Sequence, residues 1–304
     1  MEIKECDILI LGAGPAGLTA GLYAARAGAK TIIIENTAAG GAVNTTPEIA
    51  NYPGFLEITG YELGEKMREQ AEAAGAEIIY DELGSIDLSE KVIRCSTWSE
   101  APSRCAGSIR YKALIIATGA SPRKLGIDRE EDFIGMGIHF CGLCDGTFYR
   151  GKDVIVVGGG NHAVEEAIYM KDIAKSVTMI VDVAKLTAQA ALVKQLGDVP
   201  IHFNSKIKKI LGDKKFTGVE LKDGTVINAD GVFVAIGRIP NTQILGQGVE
   251  LSKGGYIKVN DKLQTNIAGV FAAGDVIEKH VRQVITACAD GAIAATHAAE
   301  HVKN

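Results

Sequence analysis

Two copies of one strand–turn–helix–strand unit predict an α/β fold with parallel sheets. Three observations carry that reading. Two short apolar runs, residues 7–11 and 153–157, each stop at a glycine cluster. A helical pattern follows each cluster, to about Ala27 in one case and about Ile173 in the other. A second apolar run then closes each unit on an acid, Glu35 or Asp182.

Residues 7–11 are almost wholly apolar, as suits a strand buried on both faces of a parallel sheet. Gly12-Ala13-Gly14-Pro15-Ala16-Gly17 comes next. Glycines there let the backbone turn tightly and approach a pyrophosphate resting on the helix N-terminus. Residues 31–34 form the next strand, and Glu35, 21 residues after Gly14, is placed to accept from a ribose hydroxyl. Residues 37–60, with Gly40-Gly41 and Asn51-Tyr52-Pro53-Gly54, read as loop. A helix is expected over 62–74 and short strands over 77–110, a region that includes the sole tryptophan, Trp98. Residues 113–116 are a further apolar strand, closing on Ala117-Thr118-Gly119-Ala120.

The pattern then recurs. Gly158-Gly159-Gly160-Asn161-His162-Ala163 follows the strand 153–157, and residues 177–181 lead to Asp182. Aligned residue for residue, 30–35 matches 177–182, so two Rossmann-like, three-layer dinucleotide-binding domains are expected, with two nucleotides. Residues 231–242 read as strand then turn, where the chain leaves the second unit. Residues 270–276 are a strand ending in Gly274-Asp275, and an Ala-rich helix spans 284–301 behind Arg282-Gln283.

Composition narrows the function classes. With 304 residues, 47% hydrophobic and a net charge of −5, the chain can build a large core and is no general nucleic-acid binder. Its start lacks the basic-then-apolar layout of a signal peptide, and no apolar run reaches membrane-spanning length, so a cytoplasmic protein is expected. Of six cysteines, Cys6, Cys95, Cys105 and Cys288 are scattered and read as reduced thiols, Cys6 and Cys288 in packing roles. Cys141-Gly142-Leu143-Cys144 is different: sulfurs three residues apart can cycle between dithiol and disulfide. His139 beside them would make a third zinc donor, but no second pair completes a tetrahedral site, so no metal is expected.

Together these landmarks, with Val232 to Thr242, Ala273-Gly274-Asp275 and Arg282-Gln283-Val284, resemble the low-molecular-weight thioredoxin reductases over essentially the whole chain. That resemblance implies a homodimer of two-domain subunits. Residues 1–112 and 243–304 would form a discontinuous FAD domain, with a pyridine-nucleotide domain, 113–242, inserted and carrying the cysteine pair. Gly12, Gly14, Ala16, Gly17 and Glu35 would hold the ADP half of FAD, and Thr118 and Gly119 belong to the same site. Gly41 and Asn51 would line the flavin side. Gly274 and Asp275 would take the ribityl or pyrophosphate region, and Arg282, Gln283 and Val284 would approach the isoalloxazine. Cys144 would be the sulfur nearer the flavin and Cys141 the one that attacks a thioredoxin- or glutaredoxin-like partner. Asp145 is placed to move a proton to or from a thiol, or to cap a helix.

The chain also departs from the family pattern. Ala42 stands where a Gln is usual, and Gly142-Leu143 where Ala-Thr is common. Around the second turn, Gly158, Gly160, Asn161, His162 and Ala163 would still hold a pyrophosphate, with Asn161-His162 replacing Asp-Ser. His162 is either a part of that loop or a helix-start residue with a satisfied ring. The His-Arg-Arg-x-x-x-Arg run that clamps the NADPH 2′-phosphate is replaced by Val181-Asp182-Val183-Ala184-Lys185-Leu186-Thr187. A carboxylate at Asp182 repels a phosphate and suits the free hydroxyl of NADH. Lys185 is a single flexible cation in place of planar forks. NADH is therefore the expected donor; the alternatives are ferredoxin or a deazaflavin feeding the same reductase, or an oxygen-using dithiol oxidase. Residues 150–231 hold 12 Lys and Arg against 10 Asp and Glu, a mild excess that fits an acidic ferredoxin or a plain solvated surface.

Overall fold

Each half of this repeat builds a five-stranded, all-parallel sheet in the structure, a computed structural model that describes residues 2–46, 48–95 and 107–303. Trp98 and Cys105 lie outside the described residues. The chain divides into two units, Met1–Ser121 with Ile239–Asn304, and Pro122–Arg238.

In the first unit, β1 (Ile8–Leu11) and β2 (Thr31–Glu35) flank the helix α1 (Pro15–Arg26). The sheet order is Val270–Ala272, Ala113–Ile116, β1, β2, Glu77–Tyr80. The three strands at its centre are buried throughout, which is why they read as unbroken apolar runs. The C-terminal helix, Val284–Lys303, packs on α1 through small residues: a Cβ on Gly291 would lie 2.2 Å from the Ala16 carbonyl oxygen. A four-stranded sheet of Glu2–Glu5, Gly107–Arg110, Val92–Cys95 and Leu83–Asp87 accompanies it. The helix Gly60–Ala73 starts two residues before its expected position because Thr59 and Glu62 form a reciprocal capping box.

The second unit repeats the plan with β3 (Asp153–Val157), α2 (Asn161–Lys171) and β4 (Ser176–Ile180). Its sheet runs Ile138–His139, Gly231–Val234, β3, β4, Ile201–His202. Alternate side chains serve opposite faces. Ile155, Val157, Ile180, Val232 and Val234 pack with Ile207, Ile210, Val219 and Leu221 of an antiparallel sheet. Val154, Val156, Val177, Met179 and Phe233 pack with Ala163, Val164, Ala167 and Met170 of α2. Helix, parallel sheet and antiparallel sheet are the three layers.

Two boundaries differ from the sequence reading. Ala113–Ile116 pairs with both β1 and Val270–Ala272, so it completes the first sheet before the chain crosses over. On the return, Asn241 donates its amide N–H to Gly119 and its side chain to Thr118, which holds it in the first unit. The division accordingly falls at 121/122 and 238/239. The internal repeat is also shifted by one residue. Gly12 donates to Ile34 O at 2.8 Å and Gly158 to Ile180 O at 3.0 Å, so Ile180 answers to Ile34 and Val181 to Glu35. Asp182 lies one residue further out than its expected counterpart. Among the described residues, no helix is long and apolar enough to cross a membrane.

Candidate active site

Cys141 and Cys144 are joined in a disulfide with their Cα atoms 5.3 Å apart. The local chain explains the fit. Cys141 is extended, and its carbonyl accepts the amides of Cys144 (3.2 Å) and Asp145 (3.0 Å), closing the one-turn helix Gly142–Asp145. With the sulfurs bonded to each other and His139 engaged elsewhere, the three zinc-type donors are committed to other partners.

His139 is buried, stacked on Phe233 at 5.4 Å, with Nε2 2.7 Å from the Tyr149 hydroxyl and Nδ1 3.1 Å from Asp145 Oδ2. Burial, with the charges of Asp145 and Asp230, pushes the Tyr149 phenol up to about 12. It therefore stays protonated near neutrality and shares one hydrogen bond with Nε2, while Nδ1 faces Asp145. Asp145 is thus oriented as an acceptor directly after Cys144, and its helix-cap alternative is not used: the Gly146–Tyr149 turn takes no side-chain bond from it.

A second carboxyl meets the same turn. Glu166, 6% exposed on the inner face of α2, accepts the Gly142 N–H at 2.6 Å. Burial pushes it up to about 7; the Gly142 bond opposes that shift, and the charges of Asp145 and Glu165 add to it. The ring of His162 reaches it from one helical turn earlier, Nε2 lying 3.6 Å from Oε1, so His162 is a helix-start residue with a partnered ring. Neither Glu166 nor Tyr149 was singled out by sequence. Glu166 had a signal, an acid among the inward residues Ala163, Ala167 and Met170 of α2. Tyr149 had none.

Around the first glycine turn the expected residues converge. Gly12 has φ +97°, and a Cβ there would sit 2.5 Å from the Ala117 carbonyl oxygen; one on Gly41 would be 3.0 Å from Gly14 Cα, and one on Gly274 2.8 Å from Ala16 Cβ. Thr118 and Asn241 exchange two hydrogen bonds of 2.8 Å beside it. Glu35 accepts from Ala13 N–H at 2.8 Å and from the amide and hydroxyl of Thr37 at 2.9 Å each. Asp275 follows Gly274 in a short 3-10 turn. Asn51 donates to Gln283 at 3.2 Å, Val284 packs on the Val43, Ile49, Ile58 and Leu63 cluster, and Arg282 bonds the carbonyls of Lys279 and Ile277.

At the second turn, Gly158 (φ +134°) makes the same approach, 2.5 Å from Ala235 O, and Ala163 takes the place of the third glycine. Asn161 accepts from Gln189 N–H at 2.8 Å, and Asp182 is exposed, 3.8 Å from Lys206 Nζ. The thiol reading needs a correction: Cys6 and Cys288 are free, but Cys95 is disulfide-bonded.

The glycine turns fit a dinucleotide on structural grounds. Gly14 and Gly160 are the N-caps of α1 and α2 with no side-chain cap, and the space where a Cβ would stand is open at Gly14 and within 4 Å meets only Thr187 Oγ1, at 3.9 Å, at Gly160. Residues 6–291 match the pyridine nucleotide-disulphide oxidoreductase family. The chain belongs to that family. It is 42% identical to a thioredoxin reductase of Vibrio cholerae, covering 99% of this chain and 98% of that protein. The solved thioredoxin reductase of Giardia duodenalis matches with a TM-score of 0.88 and 37% identity, over 99% of this chain and 100% of that one. A ferredoxin-flavin thioredoxin reductase of Clostridium acetobutylicum matches with a TM-score of 0.52 and 30% identity, over 98% of each chain. Like the family as a whole, this pyridine nucleotide-disulphide oxidoreductase is a flavin-dependent enzyme. Bound FAD supplies a two-electron carrier.

Proposed function

We propose that this oxidoreductase passes electrons through FAD to Cys141–Cys144 and on to a thioredoxin- or glutaredoxin-like protein disulfide, with NADH as donor and a homodimer as the working form. FAD is assigned to the first glycine turn and the nicotinamide nucleotide to the second. The observation that supports the reading most is the Cys141–Cys144 disulfide beside an Asp145 oriented by His139 and Tyr149. Two electrons delivered to the disulfide, with Cys144 as the receiving sulfur, break the S–S bond, and one proton from water leaves Cys141 as thiol and Cys144 as thiolate. Asp145, as carboxylate, takes the proton of the Cys141 thiol, and the thiolate attacks the partner's disulfide. The electron pair of the broken bond leaves with the partner's far sulfur, to which Asp145 returns the proton. Cys144 then displaces the partner from the mixed disulfide and restores the Cys141–Cys144 bond.

Asp182 supports NADH, because a carboxylate among the residues that replace the arginine run repels a 2′-phosphate. Anaerobic flavin bleaching tests the donor: NADH should bleach far faster than NADPH at equal concentration. The likeness to the ferredoxin-flavin enzyme favours a second reading, in which a ferredoxin feeds the same pair. Absence of bleaching by either nucleotide, with bleaching by reduced ferredoxin, would replace the first reading with the second.

A further inference from the structure

Glu166 lies in contact with the redox turn without a part in the chemistry above. Its Oε2 is 2.6 Å from the Gly142 amide, the N–H of the peptide bond that Cys141 begins. Gly142 is what admits it: a Cβ at that position would stand 2.0 Å from Oε2. Among the described residues, no lysine or arginine forms an ion pair with Glu166. The titratable groups facing it are His162, 3.6 Å away and largely exposed, and the acids Asp145 and Glu165; Met170 lines the same pocket from α2.

We propose that Glu166 is a positioning residue for the redox pair, whose carboxylate holds the Gly142 amide and opposes thiolate formation at Cys141. The proposal rests on the reading of Cys141–Cys144 as the redox centre. A disulfide carries no charge, so the oxidised turn tolerates a carboxylate on its amide. Reduction breaks the S–S bond with two electrons and leaves two sulfurs that need protons for neutrality. One proton goes to a sulfur; the other is shared between Cys141 and Glu166, because a carboxylate bonded to the amide next to Cys141 disfavours a second negative charge there. Burial also brings Glu166 up to about 7, within the range where thiols titrate, so the exchange runs near neutral pH. His162 moderates the carboxylate only partly, being exposed to water.

The test follows Cys141 directly, without turnover. The flavin-loaded protein is reduced anaerobically with dithiothreitol, freed of it, and alkylated with iodoacetamide from pH 5.5 to 9.5, with the Cys141 peptide read by mass. Glu166→Gln should lower the pH of half-maximal reactivity by about one unit, so alkylation at pH 7 becomes about tenfold faster. Gly142→Ala, which crowds the carboxyl off the amide, should move the profile the same way. Superimposed profiles for wild type and Glu166→Gln, with flavin content and melting unchanged, would overturn the proposal alone. Equal alkylation of Cys141 before and after dithiothreitol would overturn the redox reading of the pair and this proposal with it.

Discussion

In the first unit the strand after the glycine turn ends on Glu35, buried and bonded to Ala13 and Thr37. In the second unit the same station holds Val181, fully buried, with Asp182 one residue further along and in water beside Lys206. The two turns are otherwise alike: Gly12 approaches Ala117 as closely as Gly158 approaches Ala235, each with positive φ. What keeps the unit recognisable is therefore steric, the contact of backbone on backbone that only glycine permits. The acid after the strand has no part in that contact, and in the second unit it stands one residue further along. Under the function proposed above, the first nucleotide would meet a built-in carboxylate and the second a solvated one.

The steric half of the comparison is broken most severely at the glycines. Gly12→Ala should destabilise the first unit by about 3 kcal/mol or more, from a strained φ and a Cβ pressed on a carbonyl, and purify without flavin. Gly158→Ala should damage the second unit comparably yet keep the flavin band, which absorbance and melting would show. Loss of flavin from both variants would mean that the two turns are not independent. The acids come next. Glu35→Gln replaces a carboxylate that takes three short bonds with an amide whose NH2 faces donors, and should cost about 2 kcal/mol of stability, read as a lower melting temperature. Asp182→Arg should leave melting within about 0.5 kcal/mol, since the group is exposed. It should nonetheless raise the ratio of NADPH to NADH use; an unchanged ratio would refute Asp182 as the discriminator.

The glycine turns, the apolar strands beside them and the cysteine pair were legible because each depends on spacings of a few residues. Local pattern was less reliable where the chain could slide. Residues 177–182 looked like a copy of 30–35, but the register is decided by the hydrogen bond from Gly158 to Ile180, which no run of apolar residues reveals. The boundary near 113 failed for a similar reason, since an apolar strand does not say which sheet it joins. Glu166 was legible only as an acid on an apolar helix face, and its partner, Gly142, is 24 residues away.

By itself the sequence determined two βαβ units, a Cys-x-x-Cys pair between them and the loss of the arginine run after the second. These follow from backbone sterics, side-chain volume and charge acting within short stretches. Only the tertiary structure decided that His139 and Tyr149 orient Asp145, that Glu166 sits on the Gly142 amide, and that Val181 stands where Glu35 does. Each of those depends on strands and helices distant in sequence being brought within hydrogen-bonding distance. Burial then makes such contacts strong, and it pushes both Glu166 and Tyr149 up, towards the protonated form.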